Sequence, residues 1–112
     1  MRIAIPISGG RLAMHFGHCE RLAFMDVDCV ERKVVAQEEV VAPKHEPGLL
    51  PRWLAERGVK TVIVGGVGTR AQGLFAENGI EVVVGAPADP PDKLVAGYLA
   101  GTLETGANVC ER

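Results

Sequence analysis

The sequence predicts a single-domain α/β protein whose mixed five-stranded sheet follows the order β-β-β-α-β-α-β-α. Three observations carry that expectation. Apolar residues recur at strand period in the first 41 residues, beginning with Ile3, Ile5 and Ile7. From Leu49 onward they recur at helical spacing, as in Leu49, Leu50, Trp53 and Leu54. Among the helical stretches lie two short β-branched runs, and the first, Thr61-Val62-Ile63-Val64, lacks polar alternation, the pattern of a strand covered on both faces.

The first strand spans residues 2–7, with Pro6 suited to its end or to an unpaired position because proline lacks an N–H. Ser8-Gly9-Gly10-Arg11 breaks the run, and Met14-His15-Phe16-Gly17-His18-Cys19 follows as a loop. Residues 22–28 and 32–41 make the next two strands. The short polar turn around Asp28-Cys29-Val30-Glu31 between them implies an antiparallel hairpin. After the polar stretch 43–48 comes a first amphipathic helix, with Gly58 as its left-handed stop. Residues 61–64 form a strand, Gly65-Gly66-Val67-Gly68-Thr69 a turn, and Ala71, Leu74 and Phe75 one face of a second helix that ends at Asn78-Gly79. Residues 80–84 then complete a βαβ unit with parallel strands. Pro90-Pro91 opens a last helix with Leu94, Val95, Tyr98 and Leu99 on one face, stopped by Gly101. The domain is read as 1–104 and residues 105–112 as a polar C-terminal tail.

Composition narrows the function. A chain of 112 residues that is 47% hydrophobic can bury one core. Twelve basic against 14 acidic residues, net charge −2, give no basic face for nucleic acid. No apolar run approaches the ~18 residues of a membrane helix and no signal-peptide pattern opens the chain, so a soluble, cytoplasmic protein is expected. The three cysteines, 19, 29 and 110, are too few for a disulfide framework and read as free thiols or metal ligands.

Two stretches can carry chemistry. His15, His18 and Cys19 place two imidazoles and a thiol within five residues; if the loop were helical they would converge on one ion, with Cys110, Cys29 or His45 as a fourth ligand. The alternative is that some are surface or core groups, and for Cys29 an incidental exposed thiol is the simpler reading. Trp53 reads as core. The second stretch, Gly66-x-Gly68-x-x-Ala71, matches the glycine spacing of a dinucleotide-binding turn, but Glu81 starts the next strand where an acidic residue would have to end it. What remains is a turn whose backbone, with Thr69 at the helix start, can accept an anion or simply turn. No serine–histidine–aspartate arrangement stands out.

These residues together resemble the dinitrogenase iron–molybdenum cofactor biosynthesis family. The resemblance covers His15-Phe16-Gly17, the strand Phe24-Met25-Asp26-Val27-Asp28, the turn Gly65-Gly66-Val67-Gly68 with Ala71, Asn78-Gly79-Ile80 and the ending Gly106-Ala107-Asn108-Val109-Cys110. It implies a ribonuclease H-like fold without nuclease activity, and a non-enzymatic role in binding or carrying an iron–sulfur, iron–molybdenum or molybdenum–copper sulfide cluster. It implies His15 as the principal ligand and Cys110 as the family's terminal cysteine. His18 and Cys19 stand where relatives carry other residues, and the chain ends in Glu111-Arg112 instead of the family's acidic–histidine ending. Cluster donor or acceptor proteins are the expected partners. The rival readings are a simple zinc or copper protein and a small nucleotide- or anion-binding module using the glycine turn.

Overall fold

Ile3, Ile5 and Ile7 point to one face of the first strand and Ala4 to the other, and all four are buried. That double burial makes β1 (Arg2–Ser8) the middle of the sheet. The computed structural model describes residues 1–13, 19–43 and 49–103. The remaining elements are β2 (Arg11–Leu12), β3 (Arg21–Asp28), β4 (Lys33–Val41), α1 (Leu49–Glu56), β5 (Val59–Ile63), α2 (Thr69–Glu77), β6 (Glu81–Val83) and α3 (Pro91–Ala100).

The strand order is β4-β3-β1-β5-β6, with β2 added to β1. β3 and β4 are antiparallel to their neighbours, and β5 and β6 run parallel to β1. With β2 set aside, this is the mixed ribonuclease H-like sheet that the resemblance implies. The sheet therefore has six strands where periodicity suggests five. The addition arises at Ser8-Gly9-Gly10-Arg11: Gly9 and Gly10 have φ of 63° and 79°, the conformation a two-residue hairpin turn demands, and Ser8 pairs with Arg11. A strand of two residues has no periodicity to detect.

Pro6 shows how β1 serves three neighbours. Met1 and Val27 exchange a reciprocal bond pair, at 3.1 and 2.8 Å, so alternation along β1 turns the Pro6 nitrogen away from β3. On that other flank β5 pairs only as far as Ala4, and β2 begins at Ile7. The missing donor falls between two partners.

Two apolar layers hold the sheet. On one face α3 places Leu94 and Val95 against Ile3, Ile5, Met25 and Ile63. On the other, α1 and α2 pack Leu54 and Phe75 against Ala4, Leu22, Phe24 and Val62. Trp53 belongs to this second layer, its ring 6.0 Å from Phe24 and capped by the Arg57 guanidinium at 3.7 Å. The helix stops are where glycine predicts them, with φ of 78° at Gly58, 73° at Gly79 and 74° at Gly101. Among the described residues, no helix is long and apolar enough to cross a membrane.

Candidate functional site

Because β1, β5 and β6 are parallel, the chain segments that follow them leave from one end of the sheet. In open α/β sheets the carboxyl ends of the strands are where ligands bind. After β1 come the β2 hairpin and the histidine loop, after β5 the glycine turn, and after β6 the segment 84–90.

The described residues on either side of the histidine segment are fixed to the sheet. At its entrance Ala13 N–H donates to the Pro6 carbonyl at 2.9 Å. At its exit Glu20 N–H donates to Ile7 at 3.0 Å, and the Glu20 carbonyl accepts from Ala42 at 3.2 Å. The Glu20 carboxylate also accepts from Ser8 Oγ at 2.9 Å and Gly9 N–H at 3.0 Å. Nothing in the sequence around Glu20 signals this role; it emerges only once β1 folds back through its hairpin. His15, His18, His45 and Cys110 lie outside the described residues.

Cys19 is half-buried and packs against the second core layer. Burial pushes its thiol pKa up, with a backbone hydrogen bond opposing in part. A thiol held protonated is a weaker nucleophile and ligand than a thiolate. Cys29 is exposed in the turn after β3. That turn lies beside Met1, at the opposite end of the sheet from the glycine turn, so Cys29 stands apart from the site.

The glycine turn is anchored by β6: Val64 N–H donates to Val83 at 2.8 Å, Gly85 to Gly65 at 3.1 Å and Ala86 to Val64 at 3.1 Å. Gly66 is buried, and Gly68 and Thr69 are exposed. Gly68 is the N-cap of α2, with φ −66°, ψ 155° and no side-chain cap bond. Any residue adopts that φ, and a Cβ there would meet none of the described residues within 4 Å. Neither backbone nor packing among the described residues requires glycine at 68. The open space in front of uncapped helix N–H groups suits the approach of an anion.

Positive charge borders this end. Arg70 lies exposed in the first turn of α2. Arg11 reaches the Ala88 carbonyl at 3.5 Å, and Leu12 N–H donates to Asp89 at 3.0 Å, tying segment 84–90 to the β2 hairpin. Among the described residues no three His, Cys, Asp or Glu side chains converge as an ion cage.

Sheet order, parallel strand ends and three flanking helices define a small mixed-sheet α/β domain. Within that class, the chain belongs to the dinitrogenase iron–molybdenum cofactor family, whose model matches residues 1–101. An uncharacterized protein of Methanocaldococcus jannaschii is 31% identical over 107 residues, covering 93% of this chain and 90% of that one. The crystal structure of PH0822 is similar throughout, with a TM-score of 0.89, 30% identity and 100% of each chain covered. The apo form of the orange protein from Desulfovibrio gigas shares the fold, with a TM-score of 0.74, 24% identity and coverage of 96% and 93%.

Proposed function

We propose that this protein binds and carries a sulfide-bridged metallocluster of iron–sulfur, iron–molybdenum or molybdenum–copper type, as a carrier or assembly accessory and not as an enzyme. His15 is the principal ligand; His18, Cys19 and Cys110 are secondary ones. The backbone at Gly66, Gly68 and Thr69 faces the cluster's anionic side. The observation that supports this reading is the shared strand end: the residues flanking the histidine segment are bonded to the carboxyl end of β1, and α2, with no side-chain cap bond, starts after the adjacent parallel strand β5.

The chemistry follows from the donors. A sulfide-bridged cluster is an anion that already satisfies most of its metal valences with sulfide. It needs one or a few protein ligands, N–H donors and nearby positive charge more than a tetrahedral cage. The first turn of α2 supplies N–H groups, and Arg70 and Arg11 supply charge. Donor or acceptor proteins for the cluster are the partners this reading requires.

The test is anaerobic reconstitution of metal-free protein with iron and sulfide, with and without molybdate or copper. Visible charge-transfer absorption that His15→Ala abolishes is the expected result. Absorption unchanged by His15→Ala defeats the ligand assignment, and one tightly held zinc without sulfide favours a simple ion site. Micromolar nucleotide binding lost in Gly68→Val would transfer the turn to a nucleotide.

A further inference from the structure

We propose that β4 is a self-association edge: two copies of this chain pair antiparallel along β4, about a two-fold axis between Val35 and Ala36, and join their sheets. β4 ends the strand order, and among the described residues no strand covers its outer flank. All of its residues except Val34 and Val40 are exposed. Among the described residues, three of the four exposed large apolar side chains lie on β4 or in the turn before it: Val30 at 91%, Val35 at 59% and Val41 at 69%. A long edge with apolar side chains left in water is an open template for another strand.

Charge identifies the partner. The chain is basic where β4 begins, at Arg32 and Lys33, and acidic past the middle of the strand, at Glu38 and Glu39. None of the four forms an ion pair with another described residue. An antiparallel copy turns that order around. With the axis between Val35 and Ala36, Lys33 meets Glu38 of the second copy, Arg32 meets Glu39, Val30 meets Val41 and Val34 meets Gln37, each twice by symmetry. Opposite charges set across two strands stabilise the pair, and like charges oppose it. An axis at Glu38 or Glu39 would set that carboxylate against its own copy.

The backbone selects the same axis. Val27 exchanges its bonds with Met1 on the β1 side, so Leu22, Phe24, Asp26 and Asp28 turn theirs to β4. Their partners Val40, Glu38, Ala36 and Lys33 face inward, which leaves the N–H and carbonyl groups of Val41, Glu39, Gln37 and Val34 on the outer flank. Val35 is an extra residue in β4, and the outward positions shift by one across it. A bulge of this kind blunts an edge against most strands. Two copies meeting bulge to bulge cancel the shift, so Val34 of each exchanges both bonds with Gln37 of the other. The faces agree as well. Val34 and Gln37 lie on the α3 side of the sheet, opposite Val27 and Met25, while Lys33 and Glu38 lie on the other side, opposite Asp28 and Phe24. Such a contact is closed and ends at a dimer. The axis reverses strand direction, so the two candidate sites lie at opposite ends of the joined sheet, and the contact is independent of what they bind.

The test is sedimentation equilibrium of the full chain from micromolar to millimolar concentration, where a monomer–dimer equilibrium is expected. Lys33→Glu and Glu38→Lys, both exposed changes, should each weaken it on the order of tenfold, because two attractive pairs become repulsive. Mixed in equal amounts, the two variants again set opposite charges at both positions, so the mixture should dimerise within about threefold of the unmodified chain. Damage to the fold cannot produce that recovery. A monomer at every concentration overturns the proposal. So does a dimer that neither substitution weakens, or one that mixing does not recover.

Discussion

Ser8 and Glu20, twelve residues apart, are joined by a 2.9 Å hydrogen bond from the serine hydroxyl to the carboxylate. The same carboxylate oxygen takes the Gly9 N–H at 3.0 Å. One side chain therefore ties the tip of the β2 hairpin to the exit of the histidine loop. Glu20→Ala should lower unfolding free energy by about 1–2 kcal/mol, the net worth of two exposed, charge-assisted bonds. Urea titration checks the magnitude. The Gly9 amide resonance should move in Glu20→Ala and much less in Glu20→Asp if the shorter acid still reaches.

Arg2 and Asp26 pair across β1 and β3 with a 2.9 Å contact, each about one-third exposed. The Arg2 hydrogen bond is the main reason that the Asp26 carboxyl titrates below its ordinary value, while the same bond raises Arg2. The carboxylate is the form that stabilises the fold. Its contribution is present above the ordinary aspartate range, and it disappears as pH falls through the lower value in the folded protein. Stability measured from pH 6 to pH 2 should decline, and Asp26→Asn should flatten part of that decline. Identical profiles for the two proteins would remove the pair from the acid response.

Phe75, on α2, is fully buried against the sheet. Phe75→Ala should cost about 3–5 kcal/mol through lost burial and the cavity left behind. Phe75→Leu, which keeps most of the volume, should cost clearly less. Chemical denaturation of the two variants gives the comparison.

Gly68 separates fold from ligand. Its φ is open to any residue, and no described residue lies within 4 Å of its Cβ position. Serine is at least as good an N-cap as glycine, so Gly68→Ser should leave stability unchanged or raise it by a few tenths of a kcal/mol, on the order of 0.3. Cluster uptake should nevertheless fall, because the side chain occupies the approach to α2. Thermal melts and reconstitution on the same preparation read both effects.

Cys19 and Cys29 should differ in reactivity. Cys29 is exposed, whereas Cys19 is half-buried with its thiol pKa raised by burial. Iodoacetamide at pH 8 should modify Cys29 first, and Cys19 should accelerate as pH rises further. Peptide mapping by mass spectrometry gives the two time courses; equal rates would contradict the packing of Cys19.

Much of the fold was legible because its signals are local. The isoleucines of β1, the β-branched run before Gly65 and the glycines at 58, 79 and 101 each report a strand or a stop within a few residues. What escaped depends on partners remote in sequence. β2 exists because two glycines let Arg11 fold back on Ser8, and a two-residue strand leaves no pattern. Alternation along β3 says nothing of the partners of Asp26 and Asp28: Asp26 holds Arg2, and Asp28 accepts from Val30 and Glu31 N–H at 2.9 and 3.0 Å to shape the hairpin turn. In the site, the glycine turn fell where its spacing indicated. The clamp at Glu20 and the contact of Leu12 with Asp89 could not be read, since each joins segments that only the sheet brings together.

Pro6 divides one flank of β1 into two short ladders that share no hydrogen bond. A disturbance that peels β2 away stops at the proline, because there is no donor there through which pairing could continue to unzip. The central strand thus works like a seam with a built-in end stitch: losing β2 leaves β5 paired as far as Ala4 and β3 as far as Ile7.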